Sequence, residues 1–172
     1  MDSSTTHLVG VAIPTLRELR LAVLASADAE GAVGSLRDAG YAGGDAVFDA
    51  FEQWLAESDG EDATAADLPL GEFGEKAAAF FRSAGWGDVE FSHDEGDGVA
   101  VVDITSCWEG GAGGDVGCQL TTGLIASFFG RIAGYPVAVL ETECCSGSES
   151  RCRFVMGNAD TMQAKWIEMQ GV

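Results

Sequence analysis

The chain has 172 residues, 47% of them hydrophobic, and its 28 acidic and nine basic residues give a net charge of −19. This length is typical of one domain that buries its own hydrophobic core. Such an acidic chain repels phosphate backbones and anionic lipid, which argues against binding to nucleic acid or to a membrane surface. The charge indicates a strongly hydrated surface or, alternatively, adaptation to a solvent rich in salt.

The N-terminal sequence and the cysteine count both bear on cellular location. Residues 1–7 lack the basic and apolar regions of a signal peptide, and no apolar run approaches the ~20 residues of a membrane span. We therefore expect a cytoplasmic protein with a flexible tail at 1–10 and a single domain at 11–172. In that compartment, five cysteines indicate metal binding or chemistry before disulfides.

The first part of this domain, residues 11–85, is predicted to be helical. A helix begins near Pro14, and apolar residues recur at helical spacing through Leu24. A second helical run follows Gly31 and is rich in glycine, which weakens an isolated helix but allows another helix or a ligand to approach closely. A third helix is predicted over 71–84.

The second part, residues 86–172, alternates between strand and helix patterns. Residues 88–93 and 99–105 form a predicted hairpin, and a helix follows over about 116–132. Residues 137–142 and 151–156 form a second hairpin, and Asn158 can cap a last helix. The predicted fold is α+β: N-terminal helices, two antiparallel hairpins that form one four-stranded sheet and are separated by a central helix, and a C-terminal helix.

Four residues in the second part are candidate metal ligands. Cys118, Glu141, Cys144 and Cys152 follow the spacing C-x22-E-x2-C-x7-C. The first is predicted in the first turn of the central helix and the others on the second hairpin. Three sulfurs and one carboxylate form a plausible tetrahedral set for zinc. Buried inert cysteines, or a disulfide between Cys144 and Cys152, would explain the same pattern without a metal.

Three neighbouring residues are possible substitutes or bystanders in this set. Cys145 is an alternative to Cys144, although on an extended strand it would point the other way. Glu143 is predicted on the same strand face as Glu141 and could replace it. Cys107 is predicted to lie in the core.

Residues 86–157 resemble the 4-vinyl-reductase domain family. The matching positions are Cys118, Gly123, Gly130, Glu141-x-x-Cys144, Gly147 and Cys152-x-Phe154. The family includes the sensor domains of aromatic-responsive transcription activators and is related in fold to tethering subunits of the TRAPP complex. The resemblance implies that Cys118, Glu141, Cys144 and Cys152 bind Zn²⁺, that an apolar pocket lies between sheet and helices, and that the first two helices form a homodimer.

The resemblance is incomplete upstream of the first cysteine. The aromatic sensors carry Trp-x-x-Ser-x-Glu there, and only Ser106 is in register in this chain. The resemblance therefore does not imply phenol recognition. His93, Trp86 and Trp108 are candidate residues of a ligand pocket, and each would equally suit a structural position.

Nothing in the sequence indicates catalysis. The chain has two histidines and no nucleophile elbow. A zinc ion held by four protein ligands has no open position for water and is structural. We therefore predict a non-catalytic domain that binds or senses a small hydrophobic or aromatic ligand. The alternatives are a 4-vinyl reductase or accessory protein in tetrapyrrole metabolism, and a TRAPP-like assembly module.

Overall fold

The computed structural model describes residues 8–26, 28–60, 63–94, 98–112, 116–145 and 151–171. Five helices and four strands follow in the predicted order, so the α+β class is confirmed. They are α1 (Ile13–Ser26), α2 (Ala29–Asp59), α3 (Leu70–Ser83), β1 (Asp88–Asp94), β2 (Val99–Thr105), α4 (Gln119–Ala133), β3 (Ala138–Glu143), β4 (Arg151–Gly157) and α5 (Ala159–Met169).

The two hairpins join into one antiparallel sheet with the order β1-β2-β4-β3. β2 and β4 are its central strands, and Val102 pairs with Phe154 across them. The predicted four-stranded sheet is therefore confirmed. Since β4 is central, residues at its start lie against both the neighbouring hairpin and the core.

Helix α4 lies between the sheet and α2, and glycines bring α2 and α4 into close contact. A Cβ atom at Gly40 would overlap the carbonyl oxygen of Leu120, and one at Gly123 would overlap that of Arg37. A Cβ atom at Gly44 would lie 3.0 Å from a carbonyl oxygen of α4. The expectation that glycines in α2 allow another helix to approach is therefore confirmed for Gly40 and Gly44.

Hydrophobic side chains pack on both faces of the sheet. The larger core lies between the sheet and α2, α3 and α4, and it includes the fully buried Phe51, Phe128 and Phe154. On the other face, Met162 of α5 packs against Val99 and Val155. Within the described parts of the chain, no helix combines the length and apolar character that crossing a bilayer requires.

Candidate metal centre and ligand cavity

The four predicted metal ligands come together where α4 begins and the β3–β4 hairpin turns. Cys118 directly precedes α4, so it lies one residue before the predicted first turn. Glu141 is in β3, Cys144 follows the end of that strand, and Cys152 is the second residue of β4. One ligand atom from each of the four residues lies within 4.8 Å of the others. This cluster could hold a metal ion.

The sulfur positions fit a tetrahedral centre. Cys118 Sγ is 3.5 Å from Cys152 Sγ and 3.9 Å from Cys144 Sγ. Two thiolates bound to one tetrahedral zinc lie about 3.8 Å apart, given Zn–S bonds of about 2.3 Å. All five cysteines fall within the described residues, and none of them takes part in a disulfide. The alternative of a disulfide between Cys144 and Cys152 is therefore wrong.

The carboxylate of Glu141 supports the same interpretation. Its Oε2 atom accepts a hydrogen bond from the backbone N–H of Cys118 at 2.6 Å. Its Oε1 atom is buried and has no hydrogen-bond partner among the described residues. A buried carboxylate oxygen without a partner is costly, and a bound cation removes that cost. The donor set therefore fits a divalent metal ion.

An irregularity in β3 separates Glu141 from Glu143. The register of β3 against β4 shifts between these two residues, so Glu141 pairs with Phe154 and Glu143 pairs with Arg153. Glu143 therefore faces away from the cysteines and forms ion pairs with Arg151 and Arg153. The prediction that both glutamates share one strand face is wrong, because a bulge reverses the alternation of side chains.

The packed thiols affect one another's protonation. The hydrogen bond with Cys107 raises the pKa of Cys118 above its ordinary value, as do the hydrogen bond with Cys152 and burial. A metal ion binds the thiolate form, so it would favour loss of the proton from Cys118 and metal binding would release protons.

The two remaining cysteines lie beside this set. Cys107 is buried, as predicted, and its Sγ atom is 3.9 Å from that of Cys118. The Sγ atom of Cys145 is 3.3 Å from that of Cys152. The prediction that Cys145 points away is wrong, because it follows the end of β3 and no longer obeys strand alternation.

A buried ion pair, which sequence reasoning missed, holds the start of α4. Glu109 accepts hydrogen bonds from the backbone N–H groups of Leu120 and Thr121 and from the Thr121 hydroxyl, at 2.8–3.0 Å. Arg20 of α1 lies 3.3 Å from Glu109 and donates to the Gly117 carbonyl at 2.8 Å. Burial raises the pKa of Glu109, and these donors oppose the shift. The pair ties α1 to the segment that leads into Cys118.

The signal for this pair is present in the first helix. Arg20 lies four residues after Leu16 and three before Val23, so an arginine occupies the apolar stripe of α1. Arg20 is buried, whereas Leu19, which the apolar pattern includes, is 58% exposed. A charged residue on a buried helix face indicates a buried partner, which here is Glu109.

A small apolar cavity lies beside the metal ligands. It holds about 10 Å³, close to the space of one water molecule. It is enclosed by residues of α3, α4, β1, β2 and the segment before β1. The lining residues are Phe81, Trp86, Val89, Phe91, Val102, Ile104, Thr121, Leu124, Ile125 and Phe129.

The three predicted pocket residues occupy different positions around this cavity. Trp86 lines it, and Trp108 contacts Trp86 edge-on with ring centroids 5.9 Å apart. The indole N–H of Trp108 is buried and, within the described chain, has no hydrogen-bond partner. His93 is exposed near the end of β1, opposite Ala100, and is not among the lining residues.

Comparisons with known proteins agree with these features. The structure resembles that of the phenol-responsive sensory domain of the transcription activator PoxR with phenol, with 16% identity and a TM-score of 0.62 over 91% of this chain and 81% of that one. A vinyl-4-reductase family protein from Methanocaldococcus jannaschii aligns with 12% identity and a TM-score of 0.46, over 88% and 83% of the two chains. No curated protein matches the sequence significantly.

The sequence itself matches the family model of the 4-vinyl-reductase domain over residues 99–158. This segment contains all four candidate metal ligands, and the PoxR domain shows that the fold extends over most of the chain. The resemblance of this chain to the 4-vinyl-reductase domain family is thereby confirmed.

Proposed function

We propose that this chain is a sensing domain for a small hydrophobic or aromatic molecule, which binds in the cavity between the sheet and α4. The observation that carries the proposal is an apolar cavity beside a buried tryptophan N–H that lacks a partner among the described residues. The family match and the fold shared with the phenol-responsive domain of PoxR support it.

The size of the cavity indicates how such a domain would respond. The cavity holds about 10 Å³, whereas a cavity of about 150 Å³ is known to bind benzene. A one-ring ligand must therefore displace lining side chains, and the half-buried Trp86, Phe91 and Phe129 have the most room to move. Ligand binding would then shift the population of packings between sheet and helices, which is what a sensor requires.

Trp108 supplies a polar contact for this ligand. Its N–H lies behind Trp86, which must move when a ring enters. An oxygen on the ligand would then accept the otherwise unsatisfied hydrogen bond. A hydroxyl or carbonyl group on an apolar ring is the ligand chemistry that this arrangement favours.

The metal in this proposal is a structural zinc ion held by Cys118, Glu141, Cys144 and Cys152. Zinc supplies four strong bonds to deprotonated ligands and, with four protein ligands, has no open position for a substrate. The ion would join the start of α4 to the β3–β4 hairpin, next to the cavity wall that Thr121 and Leu124 form. The domain would thus bind its ligand beside the metal and carry out no chemistry there.

A thermal-shift comparison of phenol with toluene tests the ligand proposal. Wild-type protein should melt at a higher temperature with either probe, since about 2.7 kcal/mol is gained at a ligand concentration 100 times the Kd. Trp108→Phe should weaken phenol about 2- to 10-fold, the value of one hydrogen bond, and leave toluene unchanged. Absence of any shift, or equal weakening of both probes, would contradict the proposal.

We also propose that the domain forms a homodimer through its first helices. On α1, the apolar residues Ile13, Leu19 and Leu21 are 39%, 58% and 40% exposed. A second copy would cover them. Light scattering of wild type and Leu19→Glu tests this, since the wild type should be a dimer and the variant a monomer. A monomeric wild type at micromolar concentration would refute the proposal.

A further inference from the structure

The thiols around the candidate metal centre outnumber the ligands that one ion needs. Cys118 and Cys152 are the central pair, with their Sγ atoms 3.5 Å apart. Cys144 contacts Cys118 at 3.9 Å and belongs to the four-residue set. Cys107 contacts Cys118 at 3.9 Å, and Cys145 contacts Cys152 at 3.3 Å. All five cysteine sulfurs therefore form one continuous cluster.

Gly110 makes room for the additional sulfurs. A Cβ atom at this position would overlap Cys145 Sγ and would lie 2.8 Å from Cys152 Sγ and 3.5 Å from Cys118 Sγ. Any other residue would therefore force these three sulfurs apart. The segment that carries Cys107 thus approaches the hairpin closely enough for thiols from both to meet.

We propose that Cys107 and Cys145 give this domain a second site for a thiophilic dication, with Cys118 and Cys152 bridging the two ions. The inference rests on the proposed metal site, whose other ligands, Glu141 and Cys144, complete the first ion's coordination. A thiolate sulfur is soft and has the lone pairs to bind two metal ions at once. The second ion would have four sulfur ligands and the first would have three sulfurs and one oxygen.

The geometry of the central pair is suitable for bridging. With the bridging sulfurs 3.5 Å apart and metal–sulfur bonds of about 2.3 Å, the two ions would lie about 3.0 Å apart. The half-buried Cys144 and Cys145 give ions a route from solvent, whereas Cys107 is buried at the inner end of the cluster.

Charge and protons also balance. One dication with Glu141 and three thiolates has a formal charge of −2, while Cys107 and Cys145 remain neutral thiols. A second dication would displace one proton from each of these thiols, so the formal charge would stay at −2. The second ion therefore adds no net charge to a buried cluster, and no oxidant or reductant is consumed.

Cadmium titration of the full chain tests this inference. Metal-free, reduced protein would be titrated with Cd²⁺, with metal analysis after desalting and absorbance of the sulfur-to-cadmium charge-transfer band. Wild type should bind two ions and Cys107→Ala/Cys145→Ser one. The band should be about 2.3-fold stronger in wild type, because seven Cd–S bonds replace three.

The outcomes separate this inference from the proposed metal site. One ion in wild type, with the absorbance of the double variant, overturns the second site and leaves the first intact. Wild-type protein that binds no cadmium overturns both. If circular dichroism shows that the double variant does not fold, Cys145→Ser alone provides the test, because this residue is half-buried. Its second ion should bind at least tenfold more weakly, and unchanged affinity for both ions overturns the proposal.

Discussion

At the scale of single residues, two glutamates in β3 have different roles although they are two positions apart. Strand alternation predicts that they share a face, and the register shift between them puts Glu141 with the cysteines and Glu143 with the arginines. Both side chains are half-buried carboxylates on the same strand. They therefore form a matched pair for testing the ligand set.

We predict that Glu141→Gln weakens metal binding and that Glu143→Gln does not. The first change removes a charged ligand, which should cost more than the about 10- to 100-fold loss that follows from altering a residue outside the ligand set. Competition with a chromophoric zinc chelator measures both affinities. Equal affinities for the two variants, or a larger loss in Glu143→Gln, would show that Glu141 is not a ligand.

The sequence predicted some of these residues and not others, for physical reasons. Cys118, Glu141, Cys144 and Cys152 could be chosen because family spacing identifies them, and the structure brings them together. The positions of Cys145 and Glu143 could not be predicted, because a bulge and a strand end depend on the local pairing of two strands. Arg20 and Glu109 meet across 89 residues of sequence, beyond the reach of any local pattern.

At the scale of elements, the contact between α2 and α4 depends on glycine at particular positions. Gly40 and Gly123 lie against backbone atoms of the opposite helix, whereas a Cβ atom at Gly43 would meet no atom within 4 Å. Because helices packed this closely cannot accommodate a methyl group, glycine is required at the contact but not beside it. The sequence showed a glycine-rich helix but could not tell which glycines face a partner.

We predict opposite effects for two substitutions in α2. Gly40→Ala should destabilise the domain by about 1–3 kcal/mol, because the methyl group overlaps a carbonyl oxygen that cannot easily move. Gly43→Ala should stabilise it by about 0.5–1 kcal/mol, because alanine favours a helix and meets nothing there. Urea denaturation measures both values. A Gly40→Ala variant as stable as Gly43→Ala would contradict the packing of α2 against α4.

The tie between α1 and α4 is an element-scale feature of a different kind. The Arg20 and Glu109 side chains are 2% and 0% exposed, so the ion pair is almost completely removed from water. Its free energy contribution is limited by the cost of removing both charges from solvent. Its role is better understood as positioning, because Glu109 fixes the first turn of α4 and hence the backbone that presents Cys118.

At the scale of the whole molecule, the sheet order and the position of α4 could be derived from sequence, but the cavity could not. The two hairpins were visible as alternating apolar residues, and only antiparallel pairing joins them. The cavity depends on how side chains from α3, α4 and two strands fill one space. Trp86 lines this space and His93 does not, although the sequence favoured neither residue over the other.

The net charge of −19 leads to a prediction about salt. Added sodium chloride should raise the melting temperature, because it screens repulsion among exposed acids. Exposed ion pairs such as Arg82–Asp88, with 61% of each side chain accessible, contribute too little to reverse this trend. A melting series in chloride, which avoids the strong exclusion effect of sulfate, checks it. An unchanged or lower melting temperature in salt would refute the prediction.

The central claim is that the ligand binds in the cavity and the metal next to it is structural. Calorimetric titration of cobalt-loaded protein with phenol, with visible absorption recorded on the same samples, tests both parts together. We predict saturable binding of phenol while the bands of tetrahedral cobalt remain unchanged, because four protein ligands leave no position for it. Absence of binding at millimolar phenol, or a change of the cobalt bands on binding, would contradict the account.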